Sequence, residues 1–458
     1  MPVSAATPSS TRLAVQLWRQ TWPMAIGVLA LLGFQLVDSA FIARLGTAPL
    51  AAQSYTFPLT FLIIGIQVGL GIAIAALISR ALGAGEARRA RRLGSLVLGV
   101  GGIVIGLLAG VLWLTQTLIF TRLGASAESL ALIRGYWGPQ LLAAWLGALL
   151  YFGYSLCRAH GDTRLPGKLM VFTSLVNLLL DPLLIFGVGP WPGLGLPGAA
   201  WATVIAFASG GLILWPRLRR ADWLGRSDLL LEARRSALPF AGIAGPAMIS
   251  QLMPPLAAML AIAIVSRLGE TAVAAWGLAS RLETLSLMLV LALTMSLPPW
   301  LGRCYGAGDW PQIRRLMTLA AKAVVAWQLL LGLVMAAAAP WVAQALAGNP
   351  DIRDDLALLI RFLLPSYALL GVCMIVVSAG NALGWPLRAM LMSAARLFVC
   401  YLPCLWLGML AGGLPGLAVG AAVGNLLAGG LAWQLYRARM QSVEEGAERR
   451  HDRAGRGT

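Results

Sequence analysis

The feature that most limits how this chain can fold is a succession of twelve apolar runs. They lie at about residues 22–43, 50–79, 94–118, 130–157, 169–188, 198–216, 238–265, 272–300, 318–339, 355–379, 390–409 and 415–436. Each is close to the length a helix needs to cross a ~30 Å hydrocarbon layer, about 20 residues. Only helices and closed barrels satisfy their backbone in such a layer. Barrel strands alternate apolar and polar positions, whereas these runs stay apolar, so a barrel is excluded. Hydrophobic residues make up 59% of the chain and charged ones 12%, against about half and a quarter in soluble domains. A water-soluble globule is excluded as well. The expected fold class is an all-α polytopic membrane protein of twelve transmembrane helices, tilted or kinked where Pro and Gly interrupt the runs.

The net charge is +17, from 35 Lys+Arg against 18 Asp+Glu. On a soluble protein such an excess points to nucleic acid. Here the cations gather in every second loop, so no nucleic-acid partner is expected and the charge reads as membrane orientation. One set of loops holds Arg80, Arg88, Arg89, Arg91 and Arg92, then Arg158, Arg164 and Lys168, then Arg217, Arg219, Arg220, Arg226, Arg234 and Arg235, then Arg303, Arg314 and Arg315. The N-terminal segment and the Arg-rich tail belong to that set. The other set carries single cations (Arg44, Arg122, Arg267) or the acids Asp351, Asp354 and Asp355. The positive-inside rule puts the first set, with both termini, in the cytoplasm, and an even number of spans requires termini on one side. The first run follows Arg12 and Arg19. It is too long for a signal-peptide core and lacks a small-x-small cleavage site, so it reads as an uncleaved span. The expected location is the plasma (inner) membrane, with lipids as surroundings and the chain acting as a monomer.

Enzyme signatures are missing. Gly167-Lys168 is followed by Leu169 where a phosphate loop needs Ser or Thr. The Gly193-x-Gly195-x-x-Gly198 pattern contains Pro197 and follows no strand. Two histidines, His160 and His451, cannot build a His-ligated metal centre. The five cysteines (157, 304, 373, 400, 404) are odd in number, and the last three lie in apolar runs, which makes them core residues instead of a disulfide framework. No catalytic residue, metal or cofactor is expected. GxxxG spacings at Gly65/Gly69, Gly102/Gly106 and Gly420/Gly424 permit close helix packing.

The chain repeats itself. Residues 23–93 align on residues 246–316 at a constant offset of 223, carrying Arg44-Leu45-Gly46 onto Arg267-Leu268-Gly269 and Gly83-Ala84-Gly85 onto Gly306-Ala307-Gly308. Gly195-Leu196-Pro197-Gly198 recurs as Gly413-Leu414-Pro415-Gly416. Two six-helix lobes follow, related by a pseudo-twofold axis along the membrane normal because six spans is an even number. Parallel repeats of this kind are a common plan of secondary transporters, with a midplane cavity opened alternately to each side. The expected organisation is a cytoplasmic segment 1–21, an N-lobe 22–216, a cytoplasmic linker 217–237, a C-lobe 238–436 and a basic tail 437–458.

Ionisable groups at membrane depth are expensive and usually functional. Asp38 lies late in span 1 with Gln35 one turn before it. Asp181 lies in span 5 with Asn177 at i−4 on the same face. Pro182 follows Asp181, and its missing N–H frees the Leu178 carbonyl as a local ligand. A carboxylic acid in a low-dielectric cavity favours its neutral form, so it can take a proton from one side and release it to the other. A carboxylate beside amide oxygens can instead hold Na⁺, and a structural reading has these acids capping helices or pairing with Arg. At offset 223, Asp38 falls on Ala261 and Asp181 on Cys404. The scaffold is duplicated and the acids are not, so ion coupling belongs to the N-terminal half. Arg281 and Glu283 of span 8 face different sides and fit a functional or a structural role alike. Gln251 of span 7 joins them as a polar group of a substrate or coupling network.

On these residues the chain resembles the multidrug and toxic compound extrusion (MATE) family. The likeness covers about residues 15–437. It rests on Pro23, Val37-Asp38-Ser39-Ala40-Phe41-Ile42 running into Leu45-Gly46, Gly83-Ala84-Gly85-Glu86 with its repeat Gly306-Ala307-Gly308-Asp309, His160-Gly161-Asp162-Thr163-Arg164-x-Pro166, Asn177-x-x-x-Asp181-Pro182 and Gly198-Ala199-Ala200-x-Ala202-Thr203. The resemblance implies twelve helices in two lobes and cation-coupled antiport that exports small amphipathic organic cations. It carries coupling roles onto Asp38, Asn177 and Asp181, and onto Thr203. Departures are Ala43-Arg44, Pro254 or a neighbour where some branches place an acid in span 7, and no acid in the core of span 10. That pattern is more similar to the DinF-like branch and favours H⁺ over Na⁺ as the coupling ion. A mostly apolar wall suits greasy substrates, and 17 Trp and 15 Met offer cation-tolerant surfaces. A lipid-linked precursor flippase of the wider superfamily is the alternative. Membrane-depth cations are few for one (Arg281, Arg396). A channel or receptor lacks support from any charge ring or extramembrane domain.

Overall fold

The structure is a computed structural model that describes residues 10–189, 191–225 and 227–455. Arg226, one of the cations assigned to the cytoplasmic set, lies outside the described residues. The first half runs α1 (Ser10–Ala43), α2 (Thr47–Gly83), α3 (Ala87–Leu114), the short α4 (Gln116–Arg122), α5 (Ala127–Ala159), α6 (Arg164–Phe186) and α7 (Leu196–Arg220). A two-residue hairpin, β1 (Gly187–Val188) with β2 (Trp191–Pro192), joins the last two. The second half runs α8 (Leu229–Val265), α9 (Glu270–Ser286), α10 (Met288–Ala307), α11 (Trp310–Ala337), the short α12 (Ala339–Leu346), α13 (Pro350–Ala382), α14 (Pro386–Ala394), a π-helical stretch Ala395–Tyr401 and α15 (Leu402–Gly455).

Ten of these helical segments are long and apolar enough to cross a membrane, and α9 with α10, bent by 41°, form an eleventh. Residues 386–443 count there as one segment, but Gly412 and Gly413 are non-helical, which divides it into two and yields twelve spans. Leu114 and Leu212 are each 76% exposed; leucines on such long apolar surfaces need lipid around them.

The repeat extends further than the sequence identities. The starts of α2, α3, α4, α5 and α6 recur, within one residue of offset 223, as the starts of α9, α11, α12, α13 and α14. The turn before α2 and its copy before α9 use Gly46 at φ +111° and Gly269 at φ +105°, a conformation L side chains rarely adopt. Side chains cap helix starts where the sequence offers acceptors: Ser126 takes the Ser129 N–H at 3.1 Å and Asp309 the Gln312 N–H at 3.0 Å.

The helices gather into two compact units. One is Arg19–Leu252; the other is Met253 onward with the chain up to Trp18. In the first, glycines on α2 let α8 approach closely. A Cβ on Gly69 would stand 2.7 Å from the Met248 nitrogen, and one on Gly65 would stand 2.7 Å from Leu252 Cδ2. Gly102 of α3 faces Leu149 of α5, and the Trp145 indole donates to the Gly102 carbonyl at 2.9 Å. The 217–237 segment is tied down by ion pairs. Arg91 pairs with Asp222, Arg92 with Asp228 at 3.1 Å, and Arg89 with Glu86 at 2.9 Å and with buried Glu232 at 3.1 Å. In the second unit, the two arms of α15 meet backbone to backbone through Gly408, Gly416 and Gly420.

Three local features differ from uninterrupted spans. Helix α1 begins twelve residues before the first apolar run, because Leu13 and Leu17, one turn apart, are buried in the core of the second unit. Span 8 breaks at Leu287. The Ser286 hydroxyl there turns back to the Glu283 carbonyl at 2.9 Å, and Gln328 captures the Ser286 carbonyl at 3.2 Å. Span 11 carries the π-helix, a form found mostly as short bulges at functional sites.

Candidate functional site

Within the Arg19–Leu252 unit, α1 and α6 run close together. Gly167 of α6 sits against the Pro23 carbonyl of α1, and a Cβ on Gly27 would lie 3.1 Å from Met170 Cβ. Further along, Phe41 and Phe186 stack edge to face at 6.1 Å. This packing brings Asp38 near Asp181, close enough for the charge of Asp38 to act on the Asp181 carboxyl. Asp38 is half-buried, and its Oδ1 is buried without a hydrogen-bond partner. Asp181 is fully buried at 0% exposure. Among the described residues no ion pair involves either acid, so neither is neutralised by arginine.

Asn177 joins Asp181 to α7. With its amide nitrogen toward the acid, it stands 2.8 and 3.0 Å from the two carboxyl oxygens, and its oxygen stands 2.9 Å from Thr203 Oγ1 and 3.1 Å from the Thr203 N–H. With the amide reversed, its nitrogen donates to Thr203 Oγ1 at 2.9 Å. Thr203 Oγ1 is also 3.1 Å from the Ala199 carbonyl of its own helix. The i, i+4 spacing read from the sequence thus becomes one hydrogen-bonded face, and Pro182 sits directly beneath it.

The structure adds two residues that sequence reasoning missed. Gln53 of α2 and Tyr136 of α5 are both buried. Their polar ends lie near each other and near Asp38, and the Gln53 Oε1 is buried without a hydrogen-bond partner. The available signal was their polarity inside long apolar runs.

The remaining predicted residues lie elsewhere. Gln35 is exposed, and only its carbonyl is engaged, by Ser39 at 2.9 Å. Gln251 is exposed on α8. Arg281 is exposed and lines a recess with Val273, Gly277 and Ile352. Glu283 is half-buried in the other half of the chain and accepts the Tyr367 hydroxyl at 3.1 Å. Among the described residues no group of three or more His, Cys, Asp or Glu could hold a metal. The chemistry the N-terminal group can offer is proton or small-cation binding by two adjacent carboxyls with an amide and a hydroxyl.

Comparison with known proteins bears on this geometry. The MatE family profile matches the chain twice, over residues 23–183 and 246–407, in step with the repeat. A FAD transporter from Shewanella oneidensis is 34% identical over 411 residues, 89% of this chain and 90% of that protein. The multidrug export protein MepA of Staphylococcus aureus is 26% identical over 281 residues, 60% of this chain and 61% of that one. Among solved structures, the Vibrio cholerae MATE transporter VcmN in its bent form has a TM-score of 0.91 at 47% identity, covering 94% of this chain and 98% of that one.

Proposed function

The chain belongs to the MatE family of membrane transporters, and from that premise we propose that it is a secondary antiporter exporting amphipathic organic ions in exchange for protons taken at Asp38 and Asp181. The carrying observation is the meeting of two unneutralised acids with Asn177 and Thr203 at membrane depth. Organic cations are the main cargo. Multidrug export by a relative such as MepA supports this reading. The alternation of cationic loops supports an inner-membrane location with both termini in the cytoplasm.

Asn177 reports the proton. With Asp181 ionised, the amide nitrogen donates to the carboxylate and the amide oxygen accepts the Thr203 hydroxyl. When Asp181 takes a proton, its O–H donates to the amide oxygen. The turned amide then donates to Thr203 Oγ1, whose own proton goes to the Ala199 carbonyl. The two patterns use the same heavy-atom positions, so protonation re-aims the bonds between Asn177 and α7. Linkage follows, because a cargo that prefers one pattern changes the affinity for the proton.

A second cargo class has its own support. The FAD transporter relative covers nine-tenths of the chain, and flavin nucleotides are anionic aromatics, the opposite charge to the usual drugs. We count such compounds as a second substrate class.

The test uses purified protein in liposomes loaded with ethidium, followed under an imposed pH gradient and then an imposed Na⁺ gradient, with D38N and D181N in parallel. Proton-driven efflux abolished by both substitutions is the expected result. Sodium-driven efflux would replace the coupling ion, and efflux indifferent to both substitutions would refute the N-terminal site.

A further inference from the structure

The unit that begins at Met253 contains a partly open cavity of about 140 Å³ whose lining includes Trp276, Ser280, Glu283, Tyr367, Arg396 and Tyr401. In the duplicated scaffold it is the counterpart of the acid site. At offset 223, its Ala261 stands where Asp38 stands and its Trp276 where Gln53 stands. Among the described residues, the first half therefore places acids without an arginine at this depth, and the second half places an arginine and Glu283 among aromatic rings.

Arg396 is the informative residue. It sits on the π-helical stretch Ala395–Tyr401, whose wider turn brings Arg396, Leu397 and Tyr401 to one cavity wall. Its Nε is buried without a hydrogen-bond partner. Glu283 across the cavity feels its charge, yet among the described residues no ion pair closes between Arg396 and any carboxylate. A buried charged donor left open is costly, and a guanidinium is shaped for a carboxylate or phosphate. The walls beside it, Trp276, Tyr367 and Tyr401, are flat π surfaces. The volume sets the size of what enters. Drug-sized ligands occupy roughly 300–1,000 Å³, whereas a cavity of roughly 150 Å³ takes one benzene-sized ring.

We propose that this cavity is a binding site for aromatic anions, holding one ring against Trp276 and the tyrosines while Arg396 takes the phosphate or carboxylate oxygen. Glu283, already occupied by the Tyr367 hydroxyl, keeps Arg396 from being a bare charge when the site is empty. The transport reading is needed only to make the bound anion a cargo; binding itself is independent of it.

The test is isothermal titration of the full-length protein in nanodiscs with three probes of one ring: phenyl phosphate, neutral phenol and benzylammonium. Wild-type protein is expected to bind the phosphate about tenfold or more tighter than the phenol, the scale of one charge-assisted hydrogen bond. R396Q is expected to erase that gap, R396K to restore part of it, because lysine keeps the charge without the fork, and W276A to weaken all three probes together. Equal affinities for phosphate and phenol on wild type would overturn the proposal without any variant. So would a gap that survives in an R396Q protein shown to be folded by its melting curve, or tightest binding of the ammonium. Anion binding without gradient-driven efflux would refute the antiport reading and leave this site standing; efflux without anion selectivity would do the reverse.

Discussion

Replacing Arg89 by Ala should destabilise the protein more than any other change in the ion-pair cluster that holds the 217–237 segment. Glu232 is 3% exposed and has two side-chain partners, Arg89 Nε at 3.1 Å and the Ser236 hydroxyl at 2.6 Å. Removing one partner of a buried pair typically costs ~3–5 kcal/mol, because the other charge stays buried and uncompensated. Here Ser236 still solvates Glu232 and Arg89 keeps 27% side-chain exposure, which puts R89A near the lower end, ~3 kcal/mol. E232Q retains an oxygen for both partners and loses only the charge assistance, ~1 kcal/mol. E86Q breaks the pair whose acid is 45% exposed and should cost less than ~0.5 kcal/mol. The double variant R89A/E232A should be more stable than R89A alone, since it removes the stranded charge. Thermal melts of detergent-purified wild type, R89A, E232A and R89A/E232A, read as a double-mutant cycle with E232Q and E86Q alongside, test this order. R89A melting with E86Q, or a double variant showing the plain sum of its singles, would refute the argument from burial.

Three shorter predictions follow from the same geometry. T203V removes the hydroxyl that closes both hydrogen-bond patterns of Asn177 while keeping the shape, so proton-driven efflux should fall about 2- to 10-fold at unchanged expression, the worth of one ordinary hydrogen bond; an unchanged rate would detach α7 from coupling. G420L has no room beside the Cys404 carbonyl and Gly408, whose Cα would lie 3.2 Å from the new Cβ, so purified yield and melting temperature should both drop, and a normal melt would show that the two arms of α15 separate freely. The Arg89 guanidinium, through its hydrogen bond to Glu86, holds the Glu86 carboxyl below its usual range. A lowered folded value stabilises above the ordinary carboxylate range and is lost as pH falls through it. E86Q should therefore melt slightly below wild type near neutrality and equal to it at the acid end, and a deficit that grows in acid would reverse the sign.

Much of this architecture was legible because the lipid layer makes a coarse pattern decisive. Run length gave the spans, and the break at Gly412–Gly413 was announced by the repeated Gly-Leu-Pro-Gly. Asp181 and Asn177 were found together because a helix turns a four-residue spacing into contact. What stayed hidden depends on packing across helices. Gln53 and Tyr136 are separated by 83 positions, and nothing local says that their polar ends meet. The π-turn at Ala395–Tyr401 contains neither Pro nor Gly, so no breaker marks it. Gln35 lies one turn before Asp38, yet its side chain is exposed while the Asp38 Oδ1 is buried, a difference that periodicity alone cannot show.

The exact residue spacing shared by the two halves has a practical consequence. From α2 to α6 the second half reproduces every element start of the first within one residue. An inserted residue would rotate all that follows in a helix by about 100° and would exchange lipid-facing for interior positions. Insertions should therefore be far worse tolerated than substitutions, which leave this phase intact. The same phase provides a coordinate map. Between residue 23 and the start of α6, adding 223 to a position names the site where its side chain can be transplanted into the second half, with the backbone already in place. Ala261→Asp is the natural first graft, and it asks whether a lobe built for one charge accepts the other.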